Sequence, residues 1–116
     1  MTRLTIRLDF EGNRQIGHGK VRLLELIDQE GSISSAARVM KMSYRRAWLL
    51  TDEVNHMFVE PLIETQLGGK GGGNARLTAL GRQVVELYRE IETQSHSRYS
   101  DRIDALSGKL SETAAS

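Results

Sequence analysis

Two helical stretches separated by only three residues, Lys41, Met42 and Ser43, constrain this chain more than any other feature. Ser32 is placed to cap a helix over roughly residues 33–40, and the small side chains of Ala36 and Ala37 let a second helix approach closely. Ser43 is placed to cap the next helix, about 44–58, where Ala47, Leu50, Thr51, Val54 and Phe58 share one face. Upstream, residues 20–30 put Val21, Leu24 and Ile27 on one face with Leu23 and Leu26 beside it, and Gly31 follows as a stop signal. Two helices joined by so short a turn, with a third to pack against, form a helix-turn-helix pattern.

The flanks extend the pattern. Leu4, Ile6, Leu8 and Phe10 alternate with polar residues, which predicts a half-buried strand over 3–10; residues 11–19, with Gly12, Asn13, Gly17 and Gly19, read as a loop. Pro61 ends the helical run. Leu62, Ile63, Thr65 and Leu67 suggest a strand, residues 68–74 hold five glycines in seven positions, and Ala75–Thr78 returns as a second strand. A strand, a glycine loop and a strand directly after a helix-turn-helix predict a wing. From residue 79 a long helix is expected, capped by Thr78, with Leu80, Val84, Leu87 and Ile91 stepping along it and Tyr88 adjacent. The division that follows is a winged helix-turn-helix unit over 1–78, a long helix over 79–106 and a tail over 107–116.

Composition removes several classes. No apolar run nears the ~18 residues of a membrane span, the N-terminus leads into the first strand and not into a signal sequence, and the chain has no cysteine, so a cytoplasmic setting is expected. The net charge is only +1, but it is unevenly spread: residues 1–37 are neutral, 38–85 carry +3 and 86–116 carry −2. Phosphate attraction acts over about 8–10 Å at physiological salt, so the central excess matters more than the total.

That excess falls where a helix-turn-helix meets DNA. The start of its second helix enters the major groove. A guanidinium there, Arg45 or Arg46, can bond guanine O6 and N7 or grip phosphate. Tyr44 offers a hydroxyl and a stacking face, and the helix N-terminus adds free N–H groups. Trp48 reads first as a packing residue, one turn on from Tyr44 and within reach of a DNA surface. The glycine loop lacks the Gly-Lys-Ser/Thr ending of a phosphate-binding P-loop and a complete Gly-x-Gly-x-x-Gly fingerprint. Its role is instead to bring backbone close to a phosphate chain, with Lys70 at the tip and Arg76 in the stem. His18, His56 and His96 are scattered without metal-ligand spacing, and Asp52 and Glu53 diverge on a helix, so neither catalysis nor a metal or other cofactor is expected.

Gly31-Ser32-Ile33-Ser34, Ala36-Ala37, Met42-Ser43-Tyr44-Arg45 and Ala47-Trp48, together with the glycines around Lys70 and Leu77-Thr78-x-x-Gly81, resemble the N-terminal domain of ModE-type molybdate-responsive transcription regulators. The helix-turn-helix is also similar to that of LysR-type regulators. The resemblance implies a winged helix-turn-helix, mainly α with a little β, that dimerises through its long helix and binds operator DNA. The resemblance places Ser43, Tyr44, Arg45 and Arg46 at the start of the recognition helix and Lys70 in the wing. The expected DNA contacts are thus Ser34, Lys41, Ser43, Tyr44, Arg45, Arg46, Trp48, Lys70, Gly71, Gly72 and Arg76. The expected dimer contacts are Leu80, Val84, Leu87, Tyr88 and Ile91. Full-length members carry C-terminal oxyanion-binding domains, so molybdate is not expected to bind this chain. The alternative function is a protein-interaction module on the same scaffold.

Overall fold

The computed structural model describes residues 2–69 and 72–112, and the side chains of 67–69 and 72–73 are outside the description. The elements run β1 (Arg7–Phe10), β2 (Arg14–Gly17), α1 (His18–Glu30), α2 (Ile33–Met40), α3 (Tyr44–Asn55), β3 (Ile63–Gly69), β4 (Gly72–Leu77) and α4 (Ala79–Ser107). They form a winged helix-turn-helix: three packed helices, a β-hairpin wing and a long closing helix.

The N-terminal strand corrects the sequence reading. Residues 11–19 are not all loop, because Arg14–Gly17 pairs antiparallel with Arg7–Phe10, from Arg7 opposite Gly17 to Phe10 opposite Arg14. Ile16 is the only apolar side chain of β2 and is fully buried, so no alternation betrays the strand. Gly12 (φ 74°) and Asn13 (φ 62°) take left-handed conformations in the connecting turn. The strand therefore pairs within its own chain, and not with the wing.

Local chemistry sets the helix ends. Gly31, at φ 81°, closes α1 by returning its N–H to the Ile27 carbonyl. The Ser32 hydroxyl accepts from Ser35 N–H to start α2, and the Ser43 hydroxyl accepts from Arg46 N–H to start α3. Between them Lys41 sits at φ 56°, and the Lys41 and Met42 amides bond back to the Arg38 and Ala37 carbonyls, turning the chain within three residues. Helix α3 ends at Asn55, three residues before the sequence reading. The Asn55 carboxamide accepts from the amides of Leu62 and Ile63 and donates to the Ile63 carbonyl, so it fastens β3 and does not continue the helix. Phe58, past that end, packs edge-on against Phe10 at 5.6 Å.

The core gathers Val21, Leu24 and Ile27 of α1, Ala36 and Ala37 of α2, Ala47 and Val54 of α3, Leu62, Ile63, Ala75 and Leu77 around the wing, and Val85 and Tyr88 of α4. Burial of this set is the main stabilising contribution. Helix α4 thus begins inside the domain. Tyr88 is fully buried, and its hydroxyl donates to the Ile6 carbonyl at 2.8 Å. That corrects its place among the dimer contacts: the side chain is enclosed by its own subunit. Arg89 makes a bidentate pair with Glu25 of α1 (2.9 and 2.7 Å) and bonds Glu92 at 2.7 Å, and the guanidinium holds the Glu25 carboxyl below its ordinary range. Beyond Glu92 most of α4 is exposed, and it carries the molecule out to 56 Å along its long axis.

Candidate nucleic-acid interface

Helix α3 divides its side chains by angle. Ala47, Thr51 and Val54 are buried against the other helices, and the Thr51 hydroxyl donates to the Ala47 carbonyl at 2.8 Å. The opposite side is open: Tyr44 is 56% exposed, Trp48 46% and Leu49 48%, with Arg45 and Arg46 exposed between them. Trp48 is therefore a surface residue and not the packing residue that its type suggests. It follows Ala47 by one position, about 100° around the helix, which takes it off the buried face.

The wing stem lies beside this open face. Ser34, Tyr44 and Trp48 share a cleft of about 160 Å³ with Thr65, Gln66 and Asn74. On the other flank Ser43, Arg45 and Arg46 line a hollow with Leu49, Leu50 and Glu53. The fold thus brings together Ser34, Tyr44 and Trp48 on one side of the helix start, and Ser43, Arg45 and Arg46 on the other. Lys41 is exposed in the turn before Ser43. Gly72 opens β4. Lys70 and Gly71 lie outside the described residues.

Arg76 is not a free cation. Its Nε donates to Glu64 Oε1 at 2.6 Å across the hairpin, with both side chains about half exposed or more. The sequence shows no acid from Thr65 through Val85, but strand pairing reaches one residue further back, to Glu64. An exposed pair of this kind is worth about 0–1 kcal/mol to the fold, so the acid's main consequence is electrostatic: it cancels the stem's charge. Glu64→Gln is expected to strengthen binding to any duplex by a few-fold at low salt and to steepen the salt dependence by about one counterion. Unchanged affinity across a salt titration would show that Arg76 lies off the DNA path.

Two contributors escape the sequence reading. Arg38, one turn after Ser34, donates to the hydroxyls of Ser34 (3.4 Å) and Ser35 (3.0 Å) and adds a cation on that edge; its i+4 spacing from Ser34 is the available signal. Gln66 and Asn74 become neighbours only through the register across the glycine turn. Among the described residues no His, Cys, Asp or Glu cluster is able to hold a metal ion, and no helix is long and apolar enough to cross a membrane.

A capped, outward-facing helix start beside a β-hairpin is the arrangement of a winged helix-turn-helix protein. No protein-family model matches the chain, but individual proteins do. It is 39% identical over 105 residues to the molybdenum transport protein ModE of Azotobacter vinelandii, covering 90% of this chain and 37% of that protein. It is 42% identical over 79 residues to the transcriptional regulator ModE of Haemophilus influenzae (67% and 31%). It is 41% identical over 90 residues to the DNA-binding transcriptional dual regulator ModE of Escherichia coli K12 (75% and 34%). The chain is thus similar to transcription regulators of the ModE type, over a stretch consistent with their N-terminal domain. It spans about a third of the length of those relatives.

Proposed function

We propose that this chain binds duplex DNA sequence-specifically, as a homodimer, in the service of transcription regulation. The observation that carries the reading is the open half of α3, where Tyr44, Arg45, Arg46 and Trp48 surround a Ser43-capped N-terminus while Ala47, Thr51 and Val54 fix the helix to the domain. A rigidly held, exposed helix start fits the major groove, and two guanidiniums there supply base and phosphate contacts. The names of the relatives agree with this role. In a twofold dimer the two helix starts would read half-sites about 34–36 Å apart or a multiple of that.

Selection from a random duplex pool is the direct test, with a palindromic consensus as the expected result. On the selected site Arg45→Ala and Arg46→Ala are each expected to cost about 1–3 kcal/mol of specific binding, read by titration at fixed salt. If neither variant changes affinity, α3 is not the reading helix.

A second reading, a protein-interaction module, draws on the net charge of +1 and on the self-neutralised Glu64–Arg76 pair. It predicts no salt-dependent binding to any duplex.

A further inference from the structure

The open side of α3 presents one side chain that the expected contacts leave out. Leu49 is two residues from both Ala47 and Thr51, about 200° around the helix from each. It therefore stands directly opposite the buried face, and it is 48% exposed. Arg45 and Arg46 stand one turn before it, and the three border one hollow with Ser43, Leu50 and Glu53. One turn after it come Asp52 and Glu53. The Glu53 carboxylate is paired with Lys20, and that of Asp52 lies 3.5 Å from His56 Nδ1. Leu49 is thus a large apolar side chain on the outermost line of the helix, with two cations on its N-terminal side and two acids beyond it.

We infer that Leu49 is a specificity-determining residue that reads the 5-methyl group of one thymine in each half-site. This rests on the DNA-binding reading above, in which the start of α3 lies in the major groove. A leucine side chain has no donor, acceptor or charge, so it offers nothing to a phosphate or to the polar edge of a base. Of the groups that the four bases show in the major groove, the thymine methyl is the apolar one. Seating Leu49 on it takes apolar surface of both out of water. Cytosine leaves a gap at the same place, and a purine sets the leucine against polar atoms that lose water without gaining a partner. Charge selects the occupant. The guanidiniums of Arg45 and Arg46 flank the leucine, which suits a polyanion carrying isolated methyl groups. An apolar protein surface seated there would have to bury both cations unpaired. The position follows as well. Leu49 lies one turn past Arg45, about 6 Å along the helix, and base pairs are about 3.4 Å apart. The thymine therefore falls within about two base pairs of the base that Arg45 reads.

The test uses the full chain and its selected operator, with each thymine replaced in turn by deoxyuridine, which keeps the hydrogen-bonding groups and lacks only the methyl. The expected result is one sensitive thymine per half-site, symmetrically placed, where loss of the methyl weakens binding by about fourfold. Leu49→Ala is expected to bind the thymine and deoxyuridine operators alike, with the wild-type salt slope and undiminished dependence on Arg45. The site is exposed and alanine is the better helix former, so the variant is expected to melt no lower than the wild type. A flat deoxyuridine scan on the wild-type protein, the outcome if Leu49 serves a protein partner instead, overturns the inference. So does a thymine that stays equally sensitive in Leu49→Ala, or one more than about two base pairs from the position whose specificity Arg45→Ala relaxes. Each of these leaves operator binding intact. Failure of the wild-type chain to bind any duplex overturns the DNA-binding reading itself. The scan is made on the wild-type protein, so the inference stays testable if the variant does not fold.

Discussion

Gly81→Ala is expected to destabilise the domain by about 2–4 kcal/mol, a large share of the roughly 5–15 kcal/mol that holds a typical domain together. On propensity alone the opposite is expected, since alanine in a helix is favoured over glycine by about 1 kcal/mol. Geometry decides against propensity. A Cβ at residue 81 would overlap the Leu62 carbonyl oxygen and lie 2.9 Å from Leu77 Cδ2 and 3.1 Å from the Leu62 carbonyl carbon. The obstacle is backbone, and it is fixed from several directions. The Leu62 carbonyl accepts from Thr78 N–H at 2.9 Å, the Leu62 amide donates to Asn55 Oδ1, and the Thr78 hydroxyl donates to the Pro61 carbonyl at 2.8 Å while capping Gly81. Relief of the clash means breaking several of these bonds at once, in a core that also loses the fit of Leu77.

Gly19→Ala is the internal control. Gly19 lies in the first turn of α1, and a Cβ added there would meet nothing within 4 Å, so the same substitution is expected to be neutral or stabilising by up to about 1 kcal/mol. Chemical denaturation of the two variants separates the cases. If Gly81→Ala is as stable as the wild type or more so, the close seat of α4 on the Leu62 turn is wrong.

The contrast between these glycines shows what is legible in the sequence. The helix-turn-helix is readable because its signals are local: Ser32 and Ser43 each cap within three residues, and Gly31 terminates its helix one residue past the last helical position. The wing is readable from its glycines, but not its strand ends: β3 runs to Gly69 and β4 starts at Gly72, inside the stretch 68–74 that reads as loop. The hidden features depend on partners far along the chain. β2 shows a single inward side chain, Ile16, and is defined by pairing to β1. The neutralisation of Arg76 by Glu64 and the pairing of Gln66 with Asn74 exist only once the hairpin register is set. Trp48 misleads because its residue type favours packing, although the sequence already sets it off the face shared by Ala47, Thr51 and Val54. At Gly81 the spacing after Leu77-Thr78 is visible, but the reason for glycine, a carbonyl nineteen residues upstream, is not.

Tyr88 misleads for a related reason, and its correction sharpens the expected dimer. Helix α4 carries two apolar stripes side by side. Gly81, Val85 and Tyr88 are buried against their own domain. Leu80, Val84, Leu87 and Ile91 run alongside; Leu80 and Val84 are partly covered by the core and Leu87 is 51% exposed. In the proposed dimer the second stripe is the one left to meet a partner subunit, and Leu87→Glu, which places a charge in its middle, is expected to give a monomer by sedimentation. Linking two recognition helices raises apparent affinity by about 10²–10⁴-fold over one, so the same variant is expected to lose operator affinity on that scale while binding an isolated half-site as the wild-type protomer does. Tyr88→Phe provides the opposite control. It removes the bond to the Ile6 carbonyl, with an expected cost of about 1 kcal/mol in stability, and leaves the oligomeric state unchanged. Should Tyr88→Phe weaken the dimer and Leu87→Glu preserve it, the two stripes have been assigned the wrong way round. If Leu87→Glu is monomeric yet keeps full operator affinity, each subunit reads its site alone and the helix serves some purpose other than pairing half-sites.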